Sequence, residues 1–107
     1  MSYSYKVIYS PKSVEDLRKI DNYISYKLCV PTSAKKLIFR IKKHIHSLNE
    51  MPYRYSKFSH EPWLSYGVRK ISIDNFLVLY TVDDTHRIVM ILRIVYGGMN
   101  LTMIKLE

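Results

Sequence analysis

The spacing of apolar residues changes once along the chain, from a helical period in the first half to a period of two in the second. The first spacing predicts amphipathic helices, and the second predicts strands over residues 67–73, 76–82 and 87–96, with another short strand at 5–9. The order β-α-α-β-β-β is typical of an α+β fold, in which two antiparallel helices pack on a mostly antiparallel four-stranded sheet. The apolar positions of the two helices are Leu17, Ile20, Ile24 and Leu28, then Ala34, Leu37, Ile38, Ile41, Ile45 and Leu48.

Capping residues and prolines predict where the helices begin and end. Ser10 is a good N-cap and Pro11 suits the first helical turn. The first helix is expected to end before Pro31, because a proline pushes its preceding residue out of the helical region. Thr32 or Ser33 can cap the second helix.

The remaining organisation is simple. The chain has 107 residues without repeats or a Gly- or Ser-rich linker, so we expect residues 1–107 to form a single domain. Residues 51–65 carry several aromatic side chains and are expected to form an ordered, packed loop.

The charge balance indicates an anionic partner. The chain carries 17 Lys and Arg residues against 9 Asp and Glu residues, a formal net charge of +8. A small domain this basic typically binds a polyanion or an acidic protein, although the excess charge can also serve solubility alone. Lys35, Lys36, Arg40 and Lys43 lie on the second helix, where they would either contact nucleic-acid phosphates or form a solvated face.

Several classes of protein are disfavoured by what the sequence lacks. Cys29 is the only cysteine, so no internal disulfide can form, which suits a reducing compartment. No apolar run is long enough to span a bilayer, and the N-terminus does not look like a signal peptide, so we expect a soluble cytoplasmic protein. His44 and His46 point to different sides of a helix, and no cofactor motif is present, so no metal and no cofactor are expected.

Two arginines interrupt otherwise apolar strands. Strict alternation would place Arg93 on one face of the last strand with Val89, Ile91 and Val95. Both faces of that strand are apolar, which predicts a central strand that is covered on both sides. A buried charge needs a partner, so Arg93 and Arg69 either line a shared polar patch or each bind a carboxylate such as Glu61.

The loop and strand ends add candidate recognition residues. Glu61 is a candidate general base, an arginine partner or a solvated residue, and Trp63 would stack on a base or pack at the edge of the core. Tyrosines beside arginines suit RNA, because guanidinium binds phosphate while the ring stacks on a base. Tyrosine is also ordinary packing material in strands.

Specific segments resemble the RelE/ParE toxin superfamily of bacterial type II toxin–antitoxin systems. They are YSPKS at the start of the first helix, EPWLSYGVRKI from residue 61 and RIVYGG at the end of the last strand. The similarity extends over essentially the whole chain, and EPWLSYGVRKI resembles a segment of the YoeB toxins. The resemblance implies the RelE/ParE fold and a bacterial toxin.

The resemblance also implies two alternative activities. RelE- and YoeB-like members cut messenger RNA in the ribosomal A site without metal, by attack of the ribose 2′-OH on the adjacent phosphate. ParE-like members inhibit DNA gyrase and need no nuclease centre. Either kind is held inactive by an acidic antitoxin that folds as it binds.

Transferred onto this chain, the nuclease pattern assigns four catalytic residues. Glu61 matches the glutamate that would act as base, and Arg69 matches a phosphate-clamping arginine. Arg93 matches the last-strand arginine, and Tyr96 matches a terminal tyrosine that stacks on a base or donates a proton. The predicted RNA- or ribosome-binding residues are Lys35, Lys36, Arg40, Lys43, Trp63 and Lys70.

Other positions depart from the nuclease pattern. Val95 stands where YoeB toxins have a histidine, and Leu77 where they have an arginine. Met99 and Asn100 stand where many members have an arginine and an aspartate. The first expectation is a ribosome-dependent messenger-RNA endonuclease, and the alternatives are a gyrase inhibitor or a decayed toxin that only binds its antitoxin. A plain nucleic-acid-binding domain that uses the second helix is a further alternative.

Overall fold

The computed structural model describes residues 4–97, and these residues form two long helices and a four-stranded sheet in the predicted order. This confirms the predicted α+β fold. The elements are β1 (Lys6–Tyr9), α1 (Pro11–Asn22), α2 (Pro31–His46), β2 (Arg69–Ile73), β3 (Phe76–Asp83) and β4 (Ile88–Tyr96). Within the described range, no helix is long and apolar enough to cross a membrane.

The sheet has the strand order β1-β4-β3-β2. β1 runs parallel to β4, and the other two pairings are antiparallel. β4 therefore lies between two neighbours, as its apolar faces predict, while β2 lies at an edge.

The start of α1 follows the prediction and is also fastened to the sheet. Ser10 is the N-cap, and its Oγ accepts a hydrogen bond from the Ser13 N–H at 3.1 Å. The same hydroxyl donates to the carbonyl of Leu92 at 2.9 Å. This pair of bonds fixes the first turn of α1 against β4.

The far end of the first helix differs from the prediction. α1 ends at Asn22, and residues Tyr23–Lys27 form a π-helical turn. That wider turn shifts the helical phase, so Leu28, expected in the apolar stripe, is 53% exposed. Cys29 follows with a φ of 58°, which closes the turn into α2.

The predicted cap of α2 is wrong. The helix begins at Pro31, its N-cap is Val30, and no side chain caps it. Proline has no N–H and its φ is already helical, so it can occupy the first helical position ahead of Thr32 and Ser33. The buried stripe of α2 is otherwise as predicted: Ala34, Leu37, Ile41 and Ile45, with Leu48 just beyond the helix.

Apolar clusters cover both faces of the sheet. The helix-side cluster joins α1 and α2 to one face and includes Ile41 and Tyr80. The loop-side cluster lies on the opposite face, where Phe58 and Trp63 from the loop pack against Leu79. Leu79 and Tyr80 are consecutive residues of β3, so their side chains point to opposite faces of the sheet. This packing confirms that the loop is ordered.

A bulge in β4 overturns the predicted faces of that strand. Leu79 pairs with Arg93 but Tyr80 pairs with Ile91, so Leu92 is an extra residue in β4. The interruption breaks strict alternation. Ile94 therefore joins the helix-side cluster, while Val95 belongs to the loop-side cluster.

Candidate functional site

Arg93 forms a nearly buried ion pair with Asp16 of α1. Its Nε donates to Asp16 Oδ2 at 2.8 Å and its Nη2 donates to Oδ1 at 3.0 Å. The backbone N–H of Ile94 also donates to Oδ2, at 2.9 Å. The side chains of Arg93 and Asp16 are only 16% and 10% exposed. Arg93 thus binds a carboxylate, as one interpretation of the sequence expected, but that carboxylate is Asp16 rather than Glu61.

Asp16 is not among the predicted site residues, although the sequence carries a signal for it. Asp16 lies three residues after Ser13 and four before Ile20, which places it on the same side of α1 as both. Ser13 is fully buried and Ile20 packs against the helix-side cluster. An aspartate on a sheet-facing helix side is the natural partner for an arginine in the strand beneath it.

Arg69 fastens the loop to the edge of the sheet. Its Nη1 donates to the carbonyl of Tyr55 at 2.6 Å and lies 3.4 Å from that of Tyr53. The guanidinium also lies over the Tyr53 ring, 4.9 Å from its centroid. Lys70 follows in β2, paired with Leu79 and half-buried.

A tyrosine–aspartate cluster continues from Arg69 across the end of the sheet. Asp84, in the β3–β4 turn, accepts hydrogen bonds from the hydroxyls of Tyr5 and Tyr53 at 2.6 and 2.5 Å. The pKa of Tyr53 is raised to about 12, mainly by its hydrogen bond to Asp84. In turn, the hydrogen bonds from Tyr5 and Tyr53 lower the pKa of Asp84 from its usual value. Arg87 lies over the Tyr5 ring. This cluster is not among the features predicted from the sequence.

Glu61 and Trp63 belong to the loop on the opposite face from the helices. Glu61 is exposed, and its Oε1 accepts hydrogen bonds from the Ser65 N–H at 3.0 Å and the Ser65 hydroxyl at 2.7 Å. Trp63 is 5% exposed and packs in the loop-side cluster. Its Nε1 is buried and has no hydrogen-bond partner among residues 4–97. The ring is therefore a core residue in this conformation, with no face open for a base.

Tyr96 ends β4 at an apolar groove. Its side chain is 55% exposed and contacts Phe76 edge to face, with ring centroids 5.9 Å apart. Ile20, Tyr23 and Ile24 line the other side of the groove. Tyr96 is thus accessible, and it also borders a second concavity that is lined by Ser72, Asp74 and Asn75.

Comparison with known families identifies the chain. Residues 7–101 match the model of the ParE toxin of type II toxin-antitoxin systems, parDE. The chain belongs to this toxin family. No curated protein matches it in sequence.

Solved toxin structures share the fold of this toxin. The chromosomal ParDE system of P. aeruginosa aligns with a TM-score of 0.72 and 22% identity, over 89% of this chain and 98% of that chain. The RelBE2 complex of Mycobacterium tuberculosis aligns with a TM-score of 0.64 and 21% identity, over 87% and 91%. The RelE–RelB complex of Pyrococcus horikoshii aligns with a TM-score of 0.62 and 16% identity, over 91% and 99%. The RelE/ParE-like architecture is therefore confirmed.

The toxin holds its four predicted catalytic residues in separate surroundings. Glu61 binds Ser65 within the loop, while Arg93 binds Asp16 of α1. Arg69 binds loop carbonyls at the sheet edge, and Tyr96 contacts Phe76 at the end of β4.

Four positions depart from the nuclease pattern, and the structure describes two of them, Val95 and Leu77. Val95 and Leu77 pack in or against the apolar loop-side cluster. Met99 and Asn100 lie outside the described residues. In the part of the chain that the structure describes, no group of three His, Cys, Asp or Glu residues is placed to hold a metal ion.

The basic residues of α2 that were predicted to bind RNA or the ribosome are accessible in this toxin. Lys35, Lys36, Arg40 and Lys43 are all exposed. Arg40 forms an ion pair with Asp74 of the β2–β3 turn. The basic face is therefore open to a partner, with one cation already bound to a carboxylate.

Proposed function

We propose that this toxin inhibits DNA gyrase by binding it, and that it does not act by cutting messenger RNA. The observation that carries the proposal is the separation of the candidate base from the candidate acid. Glu61 lies in the loop on one face of the sheet, and Tyr96 contacts Phe76 and lines a groove against α1 on the other. Gyrase inhibition requires a binding surface, which an intact fold of this family can supply without a reactive centre.

The chemistry of RNA cleavage explains why this separation matters. Attack by a 2′-OH needs a base, a cation for the developing phosphorane charge and an acid for the leaving oxygen, all around one phosphate. Arg93 is already neutralised by Asp16. Each missing transition-state contact costs about 10²–10³ in rate. A nuclease built from these residues would need rearrangement of several contacts at once.

A ribosome-dependent messenger-RNA endonuclease is the second candidate. It is favoured by the stacking of Arg69 on Tyr53, because a guanidinium beside an aromatic ring suits phosphate and base together. In that case Lys70 and the lysines of α2 would contact RNA or the ribosome.

We further propose that an acidic antitoxin is the regulatory partner. The net charge of +8 supports this partner, because an acidic chain that folds on binding gains strength from a basic surface. The solved complexes of M. tuberculosis RelBE2 and Pyrococcus RelE–RelB are toxin–antitoxin assemblies with the same fold.

A supercoiling assay run beside a translation reaction tests the proposed function. Purified toxin is added to DNA gyrase with relaxed plasmid, and in parallel to an in vitro translation mixture that is analysed by primer extension. We expect blocked supercoiling and an intact message. Cuts at A-site codons with normal supercoiling would replace the proposal with the endonuclease, and no effect in either reaction would indicate a decayed toxin.

A further inference from the structure

The segment from the end of α1 through α2 concentrates most of the net positive charge of the toxin. Residues 22–49 contain no Asp or Glu, whereas their Lys and Arg residues are Lys27, Lys35, Lys36, Arg40, Lys42 and Lys43. A solvated helix face normally mixes both signs of charge. A segment of this length with cations alone is instead typical of a surface that meets a polyanion.

The cations of α2 are arranged as a continuous stripe. Lys36, Arg40 and Lys43 follow at intervals of four and three residues, so they share one face of the helix. Arg40, Lys43, His44 and Ser47 also line one shallow concavity. From Lys36 to Lys43 the stripe is about 10 Å long at 1.5 Å per residue. That length corresponds to about three phosphate spacings of one DNA strand, which are about 3.4 Å each along the axis.

The opposite side of α2 is occupied by the core. Ile41 and Ile45 are fully buried against the sheet, so the helix is rigidly seated while its basic face remains exposed. A rigid helix spares the cost of ordering the backbone on binding, so only the exposed side chains lose conformational freedom. The stripe is therefore preorganised for a regularly spaced row of anions.

We infer that the basic stripe of α2 binds the phosphate backbone of duplex DNA. The choice of duplex DNA over other polyanions rests on the proposed function, because gyrase works on duplex DNA. A toxin that touches both gyrase and the bound duplex would gain affinity for the enzyme–DNA complex over the free enzyme. The contacts are to phosphates, so the binding is independent of base sequence.

The ion pair between Arg40 and Asp74 allows a test in which the variant gains affinity for DNA, a result that a misfolded protein would not give. Asp74 has a φ of 53°, a conformation that asparagine also tolerates, so Asp74→Asn preserves the turn. It removes the carboxylate that competes with phosphate for Arg40. We expect Asp74→Asn to bind DNA more tightly than the parent toxin and with a steeper salt dependence.

Fluorescence anisotropy with a labelled 30-base-pair duplex and purified toxin tests the inference directly. Three phosphate contacts, from Lys36, Arg40 and Lys43, predict a slope of log K against log salt of about −2.7, and a loss of about 40-fold in affinity between 50 and 200 mM salt. Lys36→Gln with Lys43→Gln should reduce the magnitude of the slope by about two. Lys6→Gln with Lys12→Gln removes the same charge from exposed positions outside α2, and should leave the slope nearly unchanged.

The outcomes separate this inference from the proposed function, because gyrase is absent from the binding assay. No binding at 50 mM salt, or equal losses in the two double variants, would overturn the inference. Tighter binding of a single-stranded 30-nucleotide RNA would overturn duplex DNA as the ligand. If the toxin binds DNA but does not block supercoiling, only the proposed function fails.

Discussion

Replacing Asp16 by alanine is expected to lower the free energy of unfolding by about 3–5 kcal/mol, because the change leaves the Arg93 guanidinium charged, nearly buried and without this carboxylate. Asp16 accepts from two guanidinium nitrogens and from the Ile94 N–H, so its removal breaks contacts between α1 and β4 in one step. Denaturant unfolding followed by circular dichroism gives the difference.

Glu15 supplies a matched control in the neighbouring position. Its carboxylate pairs with Arg18 on the exposed surface of α1. Such surface pairs contribute about 0–1 kcal/mol, so Glu15→Ala should remain close to the parent protein. Equal losses for Asp16→Ala and Glu15→Ala would contradict the structural role of Asp16.

A further variant isolates the charge. Asp16→Leu combined with Arg93→Met removes both members of the pair and leaves apolar side chains in their place. Replacing a buried ion pair in this way is often neutral or stabilising, so the double variant should be more stable than Asp16→Ala alone. A double variant as unstable as Asp16→Ala would indicate that the buried charge is not the cause.

Replacing Trp63 by alanine is expected to cost about 3–5 kcal/mol of unfolding free energy. The indole is buried between the loop and the sheet, beside Phe58 and Leu79, and its removal leaves a cavity in the loop-side cluster. Trp63→Phe should cost much less, because it keeps an aromatic ring while it removes an N–H that has no partner within residues 4–97.

Thermal and denaturant unfolding of both Trp63 variants measures this contrast. The intrinsic fluorescence of the parent toxin gives an independent check, because Trp63 is its only tryptophan. Emission typical of a buried indole is expected, with little change when RNA is added. A stable Trp63→Ala variant, together with quenching by RNA, would indicate an exposed stacking residue instead.

The period of the apolar residues was sufficient to predict the order of the elements. The period reports which side of an element is buried, and it held for β2 and α2. The period failed to predict the buried side at the two places where an extra residue interrupts a regular element. The extra residue of β4 and the π-helical turn after α1 each shift the phase, and nothing in an apolar pattern marks such an insertion.

The partners of the polar residues were harder to predict than the elements. A carboxylate such as Glu61 is one of the two surroundings that the sequence predicts for Arg93, but Glu61 binds Ser65 within the loop and the partner is Asp16. A sequence does not say on which face a loop will pack. The helical register of Ser13, Asp16 and Ile20 held the missing information, because it points Asp16 toward the strand.

The most direct test of the proposal that this toxin acts without a nuclease centre is the activity of a Glu61→Gln variant. Glutamine can keep the acceptor for the Ser65 N–H and hydroxyl but cannot act as a base at neutral pH. We would measure growth arrest on induction, message integrity and inhibition of supercoiling by the purified variant. The account predicts growth arrest and gyrase inhibition equal to those of the parent toxin. A loss of toxicity of about 10²-fold or more at an unchanged melting temperature, as expected for removal of a general base, would contradict it.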